Sequence, residues 1–578
     1  MVCRPGHEND SLERMRHSCA HILADAVTQL YRGVKVTIGP CVDNGFYYDF
    51  DYSKPFTPED LEKIEAKMAE IVKKNTPFSR KELSRKEALL FFDKRGDKYK
   101  VEIIQGLPED EKISIYDHGS FVDLCRGPHL NSTGEIGVFK LLSVAGSYWR
   151  GDEKRERLQR IYGTAFASQK ELEVHLEKLE EAKKRDHRKL GKDLELFTFF
   201  PEAPASPFFY PKGTLILRFI VDYLRDLYRN EGYQEVITPE IMDISLWEKS
   251  GHLAHFKENM YFTEIENREM AVKPMNCPGH CLMVAERKWS YRELPLRLAD
   301  FGRLHRYERS GVTHGLTRVR TFCQDDAHIF CTPEQMEGEI EKFIFLVEKV
   351  YKIFGFEEVL VALATRPEHY LGDLENWNKA EKILELSLKK AKLAYTLNPG
   401  EGAFYGPKIE FQVKDALGRP WQLGTLQVDY SMPERFGLEY IGSDGASHRP
   451  VMLHRAILGS LERFLGILLE HSAGAFPLWL APIQVELIPI TEAQIAFATQ
   501  LERDLIKENF RVHIDGRNEK LGLKIREAQL KKIPYMAVIG AKEEEKSVLA
   551  IRHRKEGDLG QMNLSSFLDR LKKEQKPF

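Results

Sequence analysis

Arginines, carboxylates and histidines that could act on a charged ligand crowd the stretch from Leu298 to Cys331. The stretch has the pattern of a strand, a polar loop interrupted by glycines and a second strand, with Phe, Val and Leu among the charges. Because arginines on paired strands of a rigid sheet can clamp a phosphate bidentately, this pattern predicts an anion site. An exposed hairpin with ordinary, weak ion pairs is the alternative. The arginines are Arg303, Arg306, Arg309, Arg318 and Arg320.

A second group of residues offers metal ligands. Cys277 lies in the segment PMNCPGHC, and further thiols and imidazoles follow it. A catalytic zinc needs three protein ligands and one open position. Spacing alone does not choose among candidates that are far apart in sequence, and each taken singly is more often structural. The other candidates are His280, Cys281, His305, Cys323, His328, Cys331 and His454.

Two further pairs lie near the N-terminus. His17 and His21 are four residues apart in a helical pattern, which puts both imidazoles on one face, and Cys125 and His129 have the same spacing. A zinc protease would need Glu directly after the first His, and Ser18 stands there. Together the pairs could make a metal site or a hydrolytic pocket. For His17 and His21 alone, polar residues on a helix rim are the simpler interpretation.

Composition limits the class of protein. The chain has 578 residues, enough for three or four domains of about 150 each. Lysines and arginines total 85 against 88 acids, which excludes a wholly basic coat for nucleic acid but not a local basic face. No apolar run approaches the roughly 20 residues that span a bilayer, and the N-terminus is too polar for a signal peptide. The eight cysteines are not spaced as a disulfide framework, which indicates reduced thiols in the cytosol.

The elements that position these residues follow from periodicity. An amphipathic helix over 215–228 precedes a strand that ends at Pro239, and alternation over 401–411 and 421–429 predicts paired strands. The apolar segment 454–470 is interpreted as a helix whose one cation, Arg463, needs an anionic partner. Residues 168–193 form a charged linker helix whose basic end could touch RNA phosphates, although a solvated face is more common. After residue 479, alternating β and α elements predict a mixed sheet covered by helices.

These motifs resemble those of a known enzyme family. Arg306 and Glu308 stand in the Arg-x-Glu pattern of motif 2 of the class II aminoacyl-tRNA synthetases, and the helix and strand over 215–239 resemble motif 1, which builds a homodimer interface. Segments 273–280, 315–331 and 454–464 together resemble the threonyl-tRNA synthetases. The resemblance implies an α+β and α/β multidomain fold with an antiparallel central sheet. The implied domains are an editing domain at 1–166, a linker helix at 167–193, a catalytic domain at 194–478 and an anticodon-binding domain at 479–578.

The resemblance also assigns roles in the central domain. Arg306 and Arg463 would hold the phosphates of ATP, which binds with Mg²⁺, while Glu308 holds the adenine and Arg318 assists. One Zn²⁺ per subunit would hold the amino and hydroxyl groups of threonine, with Asp326 orienting the amino acid. The implied zinc ligands are Cys277, His328 and His454, and the other substrate-binding residues are Met275, Tyr405, Lys408, Gln422 and Gln427.

The N-terminal pairs resemble the editing domain shared by threonyl- and alanyl-tRNA synthetases, which hydrolyses seryl-tRNA made in error. A metal is not implied there, because ester hydrolysis needs only a positioned water and polar groups. The implied residues are His17, His21, Cys125 and His129 around the pocket, with Lys100 and Asp123 as helpers. Bacterial members usually carry a small β-rich domain before this one, and we expect either that its function is missing here or that the gene model is incomplete.

Three residues of the C-terminal domain, Asn518, Glu543 and Arg552, fall on positions that read the anticodon in the resembled family. Polar side chains at strand ends suit that task, because unstacked bases are read by their edges. We therefore expect a cytoplasmic enzyme that acts on ATP, L-threonine and tRNA(Thr) through threonyl-adenylate, without a membrane. A synthetase-like RNA-binding protein without catalysis and a stand-alone hydrolase are the alternatives, and the complete set of arginines and metal ligands disfavours both.

Overall fold

A computed structural model describes residues 11–42, 44–152 and 154–575 of the protein. The chain divides into two compact units, with the division between Glu180 and Glu181. The first ten residues, whose polarity argues against a signal peptide, lie outside the described part. Among the described residues, no helix has the length and apolar character needed to cross a membrane.

The first unit packs helices on antiparallel sheets. Its helices are α1 Ser11–Leu30, α2 Pro58–Lys73, α3 Arg85–Lys94 and α4 Lys98–Gln105. Its strands are β1 Lys35–Val36, β2 Cys41–Val42, β3 Gly45–Asp51, β4 Ser79–Leu83, β5 Ile113–His118, β6 Phe121–Leu124, β7 Val138–Tyr148 and β8 Arg157–Phe166. Helix α1, which carries His17 and His21 as predicted, packs on strands β3 and β8. Strands β1, β3, β8 and β7 follow one another in one sheet with β2 against β3, and β4, β5 and β6 form a second sheet.

The linker contains two helices where the sequence predicts one. These are α5 Gln169–Arg185 and α6 His187–Asp193. Asp186 separates them because its side chain accepts a hydrogen bond from the Arg188 amide at 2.8 Å and so begins α6 with an N-cap. In the short second helix His187 and Leu190 are buried.

The central region of the second unit is built on a nine-stranded sheet, ordered β11, β16, β18, β25, β22, β21, β19, β20, with β17 beside β18. Pairing is antiparallel as predicted, except for the parallel outer pairs β11–β16 and β19–β20. The helices are α7 Pro211–Asn230, α8 Ile244–Ser250, α9 His252–Phe256, α10 Cys277–Ala285, α11 Met336–Ile353, α12 Leu374–Lys390, α13 Ser431–Phe436 and α14 Leu461–Ser472. The strands are β9 Phe197–Phe199, β10 Pro207–Phe209, β11 Gln234–Glu235, β12 Ile241–Asp243, β13 Tyr261–Ile265, β14 Arg268–Val272, β15 Trp289–Ser290, β16 Leu296–Asp300, β17 Arg303–His305, β18 Thr321–Cys331, β19 Leu360–Ala364, β20 Thr396–Asn398, β21 Lys408–Lys414, β22 Pro420–Asp429, β23 Tyr440–Ile441, β24 Ser447–His448 and β25 Val451–Ser460.

Several predicted elements of the central region differ from the structure. The strand predicted to end at Pro239 is limited to Gln234–Glu235. The segment 454–470 is not one helix, because its first part is the buried strand β25 and only the part from Leu461 onward is helical. Gly459 turns the chain with φ +69°, and the Ser460 hydroxyl caps α14 by accepting a hydrogen bond from the Arg463 amide. A strand buried on both faces is as apolar as a buried helix, so periodicity cannot separate them. The strand predicted from 401 begins only at Lys408.

The C-terminal region is a five-stranded mixed sheet with helices, as predicted. Strands β27, β26 and β28 are parallel, and β29 and β30 continue the sheet antiparallel. The elements are β26 Val485–Pro489, α15 Ile495–Lys507, β27 Val512–Ile514, α16 Leu521–Leu530, β28 Tyr535–Ile539, α17 Ala541–Lys546, β29 Val548–His553, β30 Gly557–Asn563 and α18 Leu564–Glu574. The short helix α17 and strand β30 have no counterpart in the sequence interpretation.

Candidate active sites

The register of the central sheet brings distant residues into one row. His328 of β18 lies opposite His454 of β25, His454 lies opposite Gln427 of β22, and Gln427 lies opposite Lys408 of β21. Directly opposed side chains on one face of a sheet lie about 5 Å apart. The row therefore assembles polar groups from four strands that are separated by up to about 130 residues of sequence.

These residues open on one cleft of about 410 Å³. Every residue that the sequence analysis assigned to the catalytic, substrate-binding or metal set lines it. The lining includes Met275, Cys277, Arg306, Glu308, Arg318, Asp326, His328, Tyr405, Lys408, Gln422, Gln427, His454 and Arg463. The structure thus collects the whole predicted central set at one place.

Two arginines that line the cleft have no carboxylate partner among the described residues. Arg306 Nε donates to the Pro274 carbonyl at 3.1 Å, with its guanidinium near the Phe256 and Phe322 rings. Arg463 Nε donates to the Thr317 carbonyl at 2.8 Å and Nη1 to that of Gln422 at 3.1 Å.

Burial lowers the pKa of both arginines, for Arg463 to about 10, where the nearby Arg306 and Arg318 add repulsion. Two partly desolvated guanidinium groups that touch only carbonyls and rings create a field that favours an anion.

Glu308 and Arg318 also line the cleft. Arg318 Nε donates to Glu308 Oε2 at 3.0 Å, and Arg318 is exposed. The backbone carbonyl of Glu308 accepts from Arg320 Nε at 2.9 Å, which fixes the chain at this point. Arg318 therefore already has an anionic partner, whereas Arg306 and Arg463 remain available to pair with an anionic ligand.

The same cleft is lined by a thiol and two imidazoles. Cys277, the first residue of α10, and His328 and His454 on adjacent strands are all buried, and their ligand-type atoms lie within 4.8 Å of one another. His454 Nε2 lies 2.9 Å from Asp429 Oδ2, and His328 Nδ1 lies 2.8 Å from His280 Nδ1. Each imidazole thus has one nitrogen engaged by a neighbour, which is the arrangement that orients metal-binding histidines.

The chemistry of this donor set fits zinc. One sulfur and two imidazole nitrogens are the soft and borderline ligands that zinc takes, and three protein ligands leave a position open. Burial holds the pKa of His328 well below its usual value, which keeps that imidazole in the neutral form that a metal requires. Burial also raises the pKa of the Cys277 thiol, and its sulfur lies 3.8 Å from His252 Nε2.

Other polar side chains of the cleft are already ordered. Asp326 Oδ2 accepts from Asn276 Nδ2 at 3.0 Å, and the Tyr405 hydroxyl donates to Gln427 Oε1 at 2.5 Å. Gln422 Nε2 donates to the Thr425 hydroxyl at 2.6 Å. Lys408 pairs with Glu410 at 2.7 Å. These contacts fix the positions of side chains that line the cleft.

A second cluster lies in the first unit, where the four predicted pocket residues come together. Cys125 Sγ is 3.3 Å from His17 Nε2 and 3.3 Å from His129 Nε2. The His17 Nδ1 group lies 3.2 Å from the Pro128 carbonyl, which can only accept, so Nδ1 carries the proton. The imidazole rings of His21 and His129 are 4.2 Å apart. Burial lowers the pKa of all three histidines, so the rings are neutral at pH 7.

Lys100 and Asp123 form the buried base of this pocket. The two side chains make an ion pair, and His21 Nε2 lies 3.8 Å from Asp123 Oδ2. The sequence analysis missed Tyr48, whose hydroxyl donates to Asp123 Oδ2 at 2.6 Å and accepts from Lys100 Nζ at 3.2 Å. Only its position in the segment GFYYDF could have indicated it. Within the described residues, the buried Nδ1 of His21 has no hydrogen-bond partner.

The three predicted anticodon residues lie on different elements of the C-terminal region. Asn518 is exposed in the loop before α16, and Arg552 is partly buried on β29. Glu543 lies in the first turn of α17, where its carboxylate accepts from the Gly540 amide at 3.1 Å and from Gln561 Nε2 at 2.8 Å. Glu543 therefore also has a structural task, which is to begin α17.

Comparison with known proteins agrees with this architecture. A class II tRNA synthetase core (G, H, P, S and T) matches residues 261–472, an anticodon-binding domain matches 484–574, and the second additional domain of threonyl- and alanyl-tRNA synthetases matches 113–162. The structure of the RNA-binding domain of threonyl-tRNA synthetase from Cryptosporidium parvum superposes with a TM-score of 0.66 at 43% identity, covering 68% of this chain and 99% of that one.

Curated relatives match almost end to end. The threonine–tRNA ligase of Acetivibrio thermocellus is 54% identical over 96% of this chain and 87% of its own length. That of Laribacter hongkongensis is 55% identical over 98% of this chain and 89% of its own. Identity at this level over nearly the whole chain, with three matching domains, establishes the relationship. The chain belongs to the threonine–tRNA ligases, a family of class II aminoacyl-tRNA synthetases.

Proposed function

We propose that this chain attaches L-threonine to tRNA(Thr) in two steps through threonyl-adenylate, and that its first unit hydrolyses seryl-tRNA made in error. The observation that supports the first activity most is the single cleft lined by both the anion-attracting arginines and a zinc-type ligand set. An ATP and an amino acid held by these two sets would meet in the same cleft.

Arg306 and Arg463 hold the phosphates of ATP in this proposal. Transfer of the adenylyl group concentrates negative charge on the leaving pyrophosphate, and preorganised cations stabilise that charge together with Mg²⁺ bound to ATP. Both guanidinium groups are oriented by backbone carbonyls before ATP arrives, so little reorganisation is needed. Glu308 receives the adenine, and Arg318 keeps that carboxylate in place through their ion pair.

Cys277, His328 and His454 hold one Zn²⁺ per subunit. When bound, zinc supplies a Lewis-acid position for the amino and β-hydroxyl groups of threonine. Asp326, held by Asn276, orients the amino group, and the Tyr405–Gln427 pair lines the same part of the cleft. Met275, Gln422 and Lys408 complete the walls around the amino acid and the adenylate.

Selectivity follows from what each competitor lacks. A site that binds a hydroxyl discriminates against an analogue without it by a factor of about 10⁴ or more, so valine is rejected. Serine keeps both polar groups and lacks only a methyl, which is worth roughly 1–3 kcal/mol, or ten- to two-hundredfold. That ratio is too small for accurate translation, so a second pocket must remove seryl-tRNA.

The histidine and cysteine cluster of the first unit suits that task. Its three imidazoles are neutral and can accept a proton from water, and the buried Nδ1 of His21 offers a position for a substrate or water hydrogen. Lys100 balances the charge of Asp123 at the base of the pocket, and the Tyr48 hydroxyl donates a hydrogen bond to the same carboxylate. His17, Cys125 and His129 line it in mutual contact, and we assign no metal there.

We further infer the roles of the remaining parts. Residues 1–166, 167–193, 194–478 and 479–578 act as the editing, linker, catalytic and anticodon-binding domains, and Asn518, Glu543 and Arg552 contact the anticodon. The chain forms a homodimer through the region of α7, where Phe208, Tyr210 and Ile237 are exposed apolar residues. Charging of tRNA and a catalytic thiolate ligand both indicate the cytoplasm.

Amino-acid-dependent ATP–pyrophosphate exchange across the twenty amino acids tests the synthetic activity. We expect strong exchange with threonine, weak exchange with serine and none above background with valine. Absence of exchange with threonine, or equal exchange with valine, would refute the proposed substrate.

A further inference from the structure

A buried histidine of the linker contacts both helix α14 and the backbone that precedes Thr317. His187, the first residue of α6, has no exposed surface. Its Nδ1 lies 2.7 Å from Glu470 Oε1 on α14, and its Nε2 lies 3.0 Å from the amide nitrogen of Leu316. Because an amide N–H can only donate, Nε2 is the acceptor and Nδ1 donates its proton to Glu470. Both nitrogens of the ring are therefore used.

The two partners of His187 lead to the same arginine. Leu316 precedes Thr317, whose carbonyl accepts from Arg463 Nε at 2.8 Å. Glu470 lies on the same helix as Arg463, two turns further on and on the same face. The contacts thus form a closed circuit of residues from Glu470 through His187, Leu316 and Thr317 back to Arg463.

The surroundings of the ring are shaped for an imidazole. Gly315 has φ +46°, and a Cβ added there would lie 2.1 Å from His187 Nε2. A Cβ on Gly466 of α14 would lie 3.2 Å from the Leu316 side chain. Asp186 caps α6 and pairs with Arg188, which sets the position from which His187 enters this space. Asp186, His187 and Glu470 also lie close enough to suggest a metal site, but the ring nitrogens are already occupied by Glu470 and Leu316.

We propose that His187 is a positioning residue for ATP binding: its Nε2 holds the Leu316–Thr317 backbone, and that backbone aims the Arg463 guanidinium into the cleft. His187 touches no substrate, and it acts through Thr317. The inference rests on the proposed role of Arg463 in binding ATP. It gives the end of the charged segment 168–193 a task in catalysis beyond that of a solvated face.

Two amide substitutions separate the two nitrogens of the ring. The side-chain amide of His187→Asn reaches the place of Nδ1 and can still donate to Glu470, but it cannot reach Leu316. The longer His187→Gln brings its amide oxygen to the place of Nε2. We expect the Asn variant to raise the KM for ATP about tenfold in ATP–pyrophosphate exchange, as the loss of one buried hydrogen bond implies. The KM for threonine should stay unchanged, and the Gln variant should stay close to the parent.

His471→Ala is the matched control. His471 follows Glu470 on α14, but its imidazole contacts the Gly355 carbonyl at 3.0 Å and takes no part in the circuit from Glu470 to Arg463. It should leave both KM values at those of the parent. A purely structural role of His187 would lower the thermal unfolding temperature without separating the KM for ATP from that for threonine. If the Asn variant does not fold, Gly315→Ala, which places a Cβ against Nε2, should give the same rise in the KM for ATP.

A KM for ATP at the parental value in His187→Asn would overturn the proposal, and so would equal KM values in the Asn and Gln variants. If Gly315→Ala has to replace His187→Asn, a parental KM for ATP in Gly315→Ala would overturn it as well. Arg463→Ala in the same assay separates this failure from a failure of the proposed function. If Arg463→Ala abolishes exchange while the tested variant behaves as the parent, only the role of His187 falls. If Arg463→Ala exchanges normally, the assignment of the ATP site falls as well.

Discussion

The cleft of the central domain and the pocket of the first unit use the same residue types in different ways. In the cleft, His454 and His328 each contact a neighbour outside the cluster, Asp429 and His280 respectively. Within the part of the chain that the structure describes, no hydrogen bond joins Cys277 to either of these histidines. In the pocket, Cys125 lies within hydrogen-bond distance of both His17 and His129.

The supports of the two clusters differ in the same sense. His328 and His454 are opposed on adjacent strands of a rigid sheet, whereas the pocket combines one helix with the loop after β6. Outward partners occur in both clusters, since His17 and His129 also contact Pro128 and Ser18. What differs is the pair of contacts from Cys125 to two imidazoles, through which a proton can pass between members of the pocket. We infer that these mutual contacts, more than the residue types, separate a hydrolytic pocket from a metal site.

Removing the cleft arginines should abolish the activity of the central cleft and leave the activity of the first-unit pocket unchanged. We expect Arg306→Ala and Arg463→Ala each to lower ATP–pyrophosphate exchange by about 10³-fold or more, because a preorganised cation at a developing anion contributes that much. Deacylation of seryl-tRNA should remain at the parental rate. Arg503→Ala, an exposed arginine on α15, is the control and should change neither activity. Near-normal exchange in both cleft variants would refute the assignment.

The reverse experiment targets the pocket. The double variant His21→Ala with Cys125→Ala should slow seryl-tRNA deacylation by about 10²-fold or more, since positioned acid–base groups contribute 10²–10⁴. Threonylation should persist while Ser-tRNA accumulates. A double variant that clears Ser-tRNA as fast as the parent would show that the first unit is not the editor.

The contacts outside the metal set can be weakened separately. Asp429→Asn removes the charge beside His454 Nε2 and keeps the shape of the side chain. Groups that orient metal ligands typically contribute ten- to a hundredfold in affinity, so zinc should bind about that much more weakly in competition with a chelator. Asp429 also accepts hydrogen bonds from the backbone amides of Ser431 and Met432. Unchanged zinc affinity would mean that these hydrogen bonds are its only role.

The smallest expected effect concerns pH. Burial lowers the pKa of His17, His21 and His129 below the ordinary value of 6.5. The folded state therefore binds fewer protons at these histidines than the unfolded chain does. The stability that the neutral histidines contribute is lost progressively as pH falls below about 6.5. Seryl-tRNA deacylation, corrected for the enzyme-free rate, should be level above that pH and fall only on its acid side. A midpoint above 6.5 would contradict the structure of the pocket.

The sequence predicted the members of the central site better than their arrangement. Cys277, His328 and Arg306 lie in motifs that single them out, but no periodicity gives the register that sets His328 opposite His454 and Gln427. Pairing depends on contacts across the whole sheet, which a local pattern does not contain.

Partners of the motif residues were missed for a related reason. Tyr48 and Asp429 are ordinary residues in sequence, and only burial beside a charged or ligand-type group gives them a role. His280 is a candidate ligand in sequence, but its contact with His328 is seen only in the structure. The segment 454–470 was assigned to one helix because a strand buried on both faces lacks alternation. The two-helix linker depends on Asp186, whose capping contact was visible only in three dimensions.

Metal analysis of three proteins tests the contrast between the two clusters most directly. The parent, Cys277→Ser and Cys125→Ser would be purified without added chelator and their zinc measured per chain. We predict one zinc per chain in the parent, none in Cys277→Ser and one in Cys125→Ser. Zinc retained in Cys277→Ser, or lost in Cys125→Ser, would contradict the assignment of metal binding to the central cleft and of hydrolysis to the pocket.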